Sequence, residues 1–312
     1  MLNCFLLLAA GLMFALQFCL NKYFQTYKPK GESSSVLFAL IGKVCAAAFF
    51  LAVIPFTYRI YLGNGYTVWA SAVQAVLNLL ITLFGVRVLA VGSVALYTLA
   101  MMLGGMAVPV VFGVFLFGDS FGWLRAVAFA LIAFAVVLSV KGERKKTTAA
   151  AAIMYAVLFL CNGFIGVFTA LHTNIWGTDI PDVTFMFVSC LVASGCYVPV
   201  FAGTAFYERR KNNLITTENT PVTNCGNLSK KVKILFCLSP VLAGILNGVA
   251  NFLIVMGTAA DGIGSVVTFP LVTGGTILFT TLTSMLFYKE KPELKKWLGV
   301  VLILVALVIF IL

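Results

Sequence analysis

The sequence predicts an all-α integral membrane protein, with ten transmembrane helices arranged as two five-helix repeats of inverted topology. Three observations predict it. First, 62% of the 312 residues are hydrophobic, only 10% are charged, and the mean hydropathy is +1.07. A soluble domain is about a quarter charged, and a water-facing surface cannot hide this much apolar area, so the chain belongs in a bilayer. Second, the apolar residues fall into ten runs, each long enough for a hydrocarbon core of about 30 Å. Third, two stretches about 170 residues apart read alike: "GVRVLAVGSVALYTLAMMLGG", ending at Gly105, and "GTAADGIGSVVTFPLVTGG", ending at Gly275.

Apolar runs bounded by polar or Gly/Pro breaks set the spans near 4–23, 35–57, 67–87, 91–117 and 121–140, then near 149–171, 183–206, 233–257, 263–288 and 294–312. Runs of this length are helices, because barrel strands would be short and alternating. No basic leader or small-residue cleavage site marks the first run, so it is expected to remain as a helix. Residues 1–141 form the first repeat and 142–312 the second. A polar loop near 207–232 is expected between spans seven and eight.

The repeat extends along each half. Gln74 and Asn78 in span three match Asn247 and Asn251 in span eight, shifted by 173. Gly92-Ser93-Val94 matches Gly264-Ser265-Val266 at a shift of 172, and "FLFGD" ending at Asp119 matches "LFYKE" ending at Glu290 at 171. In the first span of each half, Gln17 and Asn162 stand at comparable places. Five is an odd number of crossings, so a second copy enters from the opposite side. A pseudo-two-fold axis then lies in the membrane plane, the arrangement on which many carriers are built.

Spans three to five, from "NLLITLFGVRVLAVGSVALYTLAMMLGG" to "VAFALIAFAVVLSV", resemble the hallmark segment of the drug/metabolite transporter superfamily, of the EamA type. Pro109 inside span four and the Gly118-Asp119 ending carry the resemblance, whereas Pro270 and the Lys-Glu ending of the second copy depart from it. The resemblance implies a ten-helix, 5+5 carrier of small organic molecules, with cytoplasmic termini.

Charge argues otherwise for the termini. Of 21 Lys and Arg, 18 fall in loops on one side of the ten-span arrangement, Arg59 and Arg125 fall on the other, and Lys43 lies inside a span. Basic loops are cytoplasmic by the positive-inside rule. Both termini are therefore expected outside, in a multi-pass protein of the plasma membrane. The net charge of +11 is dispersed among these loops, which argues against a nucleic-acid partner.

All ten acids lie in loops or near helix ends, so no span carries a carboxylate at mid-depth. Small multidrug pumps of the resembled superfamily exchange protons and cationic drugs at such a carboxylate, and that chemistry is not expected here. Lys43 admits two readings: a stem that snorkels to the headgroups, or a fixed positive charge on a substrate path. The corresponding stretch of span seven, with Ser189, Cys190 and Ser194, is uncharged.

The amides come at helical spacing: Gln17 with Asn21, Gln74 with Asn78, and Asn247 with Asn251 each share a helix face. An unpaired amide in hydrocarbon costs several kcal/mol, so these side chains turn into the bundle. There they bridge helices or line a substrate cavity. Tyr97, Asn162 and Thr268 complete the candidate binding set with Gln17, Lys43, Gln74, Asn78, Asn247 and Asn251, while His172 is expected at the interface. Asp119 and Glu290 read as helix caps, with Pro292 in a first turn. Gly244/Gly248, Gly104-Gly105, Gly163/Gly166 and Gly274-Gly275 read as packing sites.

These features point to a secondary transporter of small organic metabolites working by alternating access, with a small-molecule substrate and the lipid bilayer as its partners. A flippase for a lipid-linked substrate is the alternative within transport, and a receptor or scaffold the alternative outside it. One histidine, no buried acid and no Cys-x-x-Cys or P-loop spacing argue against an enzyme, a metal centre or any cofactor.

Overall fold

The computed structural model describes residues 2–27, 31–57, 64–91, 94–118, 122–139, 149–172, 175, 181–215, 230–259, 265–288 and 294–311. They form α1 Leu2–Tyr27, α2 Ser33–Thr57, α3 Gly65–Val91, α4 Val94–Phe117, α5 Trp123–Ser139, α6 Ala149–Leu171, α7 Asp182–Ile215, α8 Lys230–Ala259, α9 Ser265–Tyr288 and α10 Leu294–Ile311. No strand occurs among the described residues. Among the described residues, seven helices are long and apolar enough to cross a membrane, and α4, α5 and α10 contribute the shorter apolar stretches Ala100–Leu116, Trp123–Ala135 and Trp297–Ile309.

The helices follow the expected spans to within a few residues, with one exception. α7 continues to Ile215, so nine residues expected in the polar loop are helical. "YERRKNNLI" holds no Gly or Pro, and Glu, Arg and Lys are good helix formers. Apolarity ends where the bilayer ends, whereas the helix goes on. Asp119, Glu290 and Pro292 lie outside the described residues.

Helix α1 packs on α8 and α9, and α6 packs on α3 and α4. α2 touches α7 and α8, α3 touches α6 and α7, and the pairs α4–α9 and α5–α10 also meet. Exchanging every helix for the one five places along maps this set of neighbours onto itself. Contacts also give directions. α1 runs antiparallel to α8, since Leu7 lies by Gly257 while Tyr23 bonds the Val232 carbonyl. α3 runs antiparallel to α6, with Thr67 by His172 and Gln74 by Thr169. α2 is parallel to α8, with Gly42 by Gly244 and Phe49 by Gly248. α3 is parallel to α7, with Ser71 by Ser189 and Thr82 by Tyr197. Glu208, near the end of α7, meets Ser33 at the start of α2, and Val183 packs in one cluster with Ile54, so these two helices are antiparallel.

Two glycines make the closest approaches possible. A Cβ on Gly104 would run into the Phe159 carbonyl, and one on Gly244 into the Gly42 main chain. In lipid, where tails are as apolar as side chains, such backbone contact is a main source of helix association. The largest buried cluster joins Met106, Ile132, Leu271 and Ile303 of α4, α5, α9 and α10. Two smaller clusters flank the α2–α7 contact, one around Phe50, Phe185 and Met186 and the other around Val36, Ala193 and Tyr197. Large apolar side chains such as Phe5, Phe115 and Phe206 remain exposed on the outside, as a lipid-facing surface requires.

Candidate functional site

The amides occupy matching places in two helix groups. On α3, buried Gln74 donates its Nε2 to Thr169 Oγ1 at 2.8 Å and to the Ile165 carbonyl at 3.2 Å. On α8, Asn247 Nδ2 donates to Gln17 Oε1 of α1 at 3.2 Å. One turn further along each helix the match repeats. Asn78 Nδ2 donates to the Gln74 carbonyl at 2.8 Å, and Asn251 Nδ2 to the Asn247 carbonyl at 2.8 Å.

These bonds correct one sequence alignment. Gln17 holds against α8 the place that Thr169 holds against α3, so Thr169, not Asn162, is its counterpart. Asn162 instead donates to the Met101 carbonyl at 2.6 Å and ties α6 to α4. Tyr97 lies over Gly85 and serves the α3–α4 contact. Thr268 is buried on α9, whose main neighbours are α1, α4 and α10. Asn21, one turn beyond Gln17, has a buried Oδ1 with no hydrogen-bond partner among the described residues.

Further participants escaped sequence reasoning. The Tyr197 hydroxyl, fully buried on α7, donates to the Asn78 carbonyl at 2.9 Å and lies 2.7 Å from Thr82 Oγ1. Ser71 and Ser189 share a hydrogen bond of 3.0 Å between α3 and α7. Thr169 completes the set.

Lys43 sits in the α2–α7 seam. α2 presents Val36, Ala47, Phe50 and Ile54 at intervals that put them on one face, and Lys43 falls in the gap of that stripe. α7 answers with Val183, Met186, Cys190, Ala193 and Tyr197. Lys43 and Cys190 both fall along the seam where its two apolar clusters meet. Packing makes these two residues counterparts. Ser71 corresponds to Gly244 by the shift of 173, so their partners Ser189 and Gly42 correspond as well. The next residues along, Cys190 and Lys43, then pair off.

Two clasps close the ends of this arrangement. At the start of α2 the Glu208 carboxylate accepts from the Glu32 and Ser33 amides at 2.6 and 3.0 Å and from the Ser33 hydroxyl. Arg87 bonds Glu32 at 3.3 Å, and Phe24 stacks on Phe236 with centroids 4.9 Å apart. At the start of α3, Asn64 caps the helix by accepting from the Thr67 amide at 2.9 Å. Thr67 Oγ1 donates to Asn64 Oδ1, which leaves His172 Nε2, 3.0 Å away, as donor to Thr67. His172, just past the end of α6, is fully buried against Phe185, with ring centroids 4.0 Å apart. Its Nδ1 has no hydrogen-bond partner among the described residues. Burial lowers its pKa from 6.5 to about 4, so the ring is neutral at pH 7. An open depression at Asn64, Gly65, Tyr66 and Trp69 lies beside this second clasp and includes none of Gln17, Gln74, Asn78, Asn247 and Asn251.

Long apolar helices, a lipid-facing exterior and polar side chains turned inward define a multi-pass membrane protein. The family model for EamA-like transporters matches residues 151–312. That is just over half the chain, and the chain belongs to this family, within the drug/metabolite transporters. The match falls on the second half, although the resemblance was first legible in the first. No curated protein matches the chain. Among 28 matching chains of solved structures is a crystal structure 13% identical, with a TM-score of 0.66 over 98% of this chain and 96% of that one. Its likeness is one of fold.

Proposed function

We propose that the chain is a secondary transporter of small organic metabolites, with ten spans in two halves of opposite topology that alternate access to a central path. The observation that carries this reading is the doubled hydrogen bonding: Gln74 to Thr169 and Asn247 to Gln17, each followed one turn on by an Asn-to-carbonyl bond. The helix directions support it. Following the packed pairs from α1 through α8, α2, α7 and α3 to α6 gives α6 the direction opposite to α1. Such halves can pack in two equivalent ways around one site.

Gln17, Gln74, Asn78, Asn247, Asn251 and Lys43 face the path, and Tyr97, Asn162 and Thr268 hold its α4 and α9 walls. The described acids support carriage without a carboxylate exchanger: Glu32 and Asp182 start helices, and Glu208 lies 26 residues along α7. The charge distribution supports cytoplasmic basic loops and external termini in the plasma membrane. The chain works as a carrier rather than an enzyme.

Uptake by the purified protein in liposomes tests this, screened against amino acids, organic acids, sugars and lipophilic cations. Saturable uptake of one class, reduced at least tenfold by Gln74→Leu combined with Asn247→Leu and indifferent to a pH gradient, is expected. Movement of lipid-linked substrates alone would favour a flippase, and uptake of a cation driven by the pH gradient would refute the carboxylate argument.

A further inference from the structure

We propose that Lys43 anchors a single negative charge on the transported solute, so that the substrates are organic monoanions, carboxylates above all. This rests on the carrier reading above and gives its substrate class.

Depth comes first. Lys43 stands ten residues from Ser33 and fourteen from Thr57, about 15 Å and about 21 Å along α2 at 1.5 Å per residue. The side chain is too short to bring its ammonium to either end of the helix, so snorkelling does not explain it. Placement comes second. The stripe that carries Lys43 faces α7, with one apolar cluster on each side along the seam, and the counterpart on α7 is the uncharged Cys190. Pairing comes third. Among the described residues Lys43, half-buried, has neither a hydrogen bond nor an ion pair, and Glu208 and Glu32 are engaged at the end of α2 by Ser33 and Arg87.

A charge held in a low-dielectric seam without a counter-ion is strongly unfavourable, and intramembrane cations are found with partners or at ion paths. A bound anion supplies the missing partner. One ammonium balances one negative charge: a dicarboxylate would bring a second, uncompensated charge into the seam, and a cation would be repelled. The rest of the solute needs neutral donors and acceptors. Gln74 lies one turn from Ser71, and Asn247 one turn from Gly244, and both of those residues stand at the level of Lys43 through Ser189 and Gly42.

The test uses full-length protein in liposomes, with empty liposomes subtracted. The probes are glycerate, gluconate and pyruvate, the neutral amides of the same acids, the dicarboxylate succinate, and tetraethylammonium. Wild type is expected to take up at least one monocarboxylate and not its amide. Lys43→Met and Lys43→Gln should lower that uptake at least tenfold, and Lys43→Arg less than threefold. Lys43→Met should melt at or above the wild-type temperature, because it removes an unpaired charge from an apolar seam; a merely structural lysine would give a lower melting temperature. Undiminished monocarboxylate uptake by folded Lys43→Met overturns the proposal. So does uptake of amides, succinate or tetraethylammonium without any monocarboxylate, an outcome that leaves the carrier reading standing. Uptake of none of the four classes also overturns this proposal, while the wider screen described above decides the carrier reading.

Discussion

At the scale of single residues, space and polarity set the outcomes. A Cβ on Gly244 meets main chain that cannot move aside, whereas Gly195 and Gly203 face open space. Gly244→Ala should cost about 1–3 kcal/mol or more through overpacking. Gly195→Ala and Gly203→Ala should be neutral or mildly stabilising, since Ala is the better helix former. Melting temperatures in detergent decide between these. The bond between Gln74 and Thr169 should give a coupling of about 0.6 kcal/mol, the average for buried polar pairs in membranes. A double-mutant cycle of Gln74→Leu and Thr169→Val measures it, and Asn247→Leu with Gln17→Leu should return a similar value.

The amides of α3 and α8 were legible in the sequence because a Gln or Asn in an apolar run is rare and an i, i+4 pair fixes a face. Thr169 was not. Threonines throughout these helices bond the carbonyl four residues back, as Thr169 does to Ile165 at 2.9 Å, so nothing distinguishes it before α3 is docked. Asn162 misled for the opposite reason: it resembles Gln17 in chemistry while packing against a different helix.

At the scale of elements, the ends of α2 and α3 are held by unlike chemistry. Glu208 engages two main-chain amides at the start of α2, and hydrogen bonds to a charged group contribute more than neutral ones. Glu208→Ala should cost about 1–3 kcal/mol and speed amide exchange at Glu32 and Ser33, with the rest of α2 unchanged. The sequence does not show this clasp, because a span ending near residue 206 leaves Glu208 in the loop rather than on α7. The other clasp depends on a neutral imidazole. The pKa of His172 is about 4 when folded and 6.5 when free, so its contribution is complete above pH 6.5 and is lost as pH falls toward 4. The loss is at most about 1.4 kcal/mol per pH unit. Wild type should therefore lose more melting temperature between pH 7 and pH 4.5 than His172→Phe does.

At the scale of the whole molecule, orientation and duplication make separate claims. If the basic loops are cytoplasmic, alkaline phosphatase fused after Leu312 should be active, and the same enzyme inserted between residues 216 and 229 inactive. The reverse pattern would leave the packing untouched and refute the charge argument alone. The run of apolar segments made the helix count readable from sequence. Which helices touch was not readable, because neighbours in sequence are seldom the main neighbours in space: α1 pairs with α8 and α9, and α3 with α6 and α7.

Lys43 and Cys190 hold counterpart places, and only one of them carries a charge. A dimer of two identical five-helix subunits would have to fill both places alike, with two ammonium groups or none. Two such groups facing each other across one seam would repel strongly in its low dielectric. A single polypeptide carrying both places is free to fill them differently. In the two-copy arrangement proposed above, Lys43 makes the halves unequal, so that neither could stand in for the other.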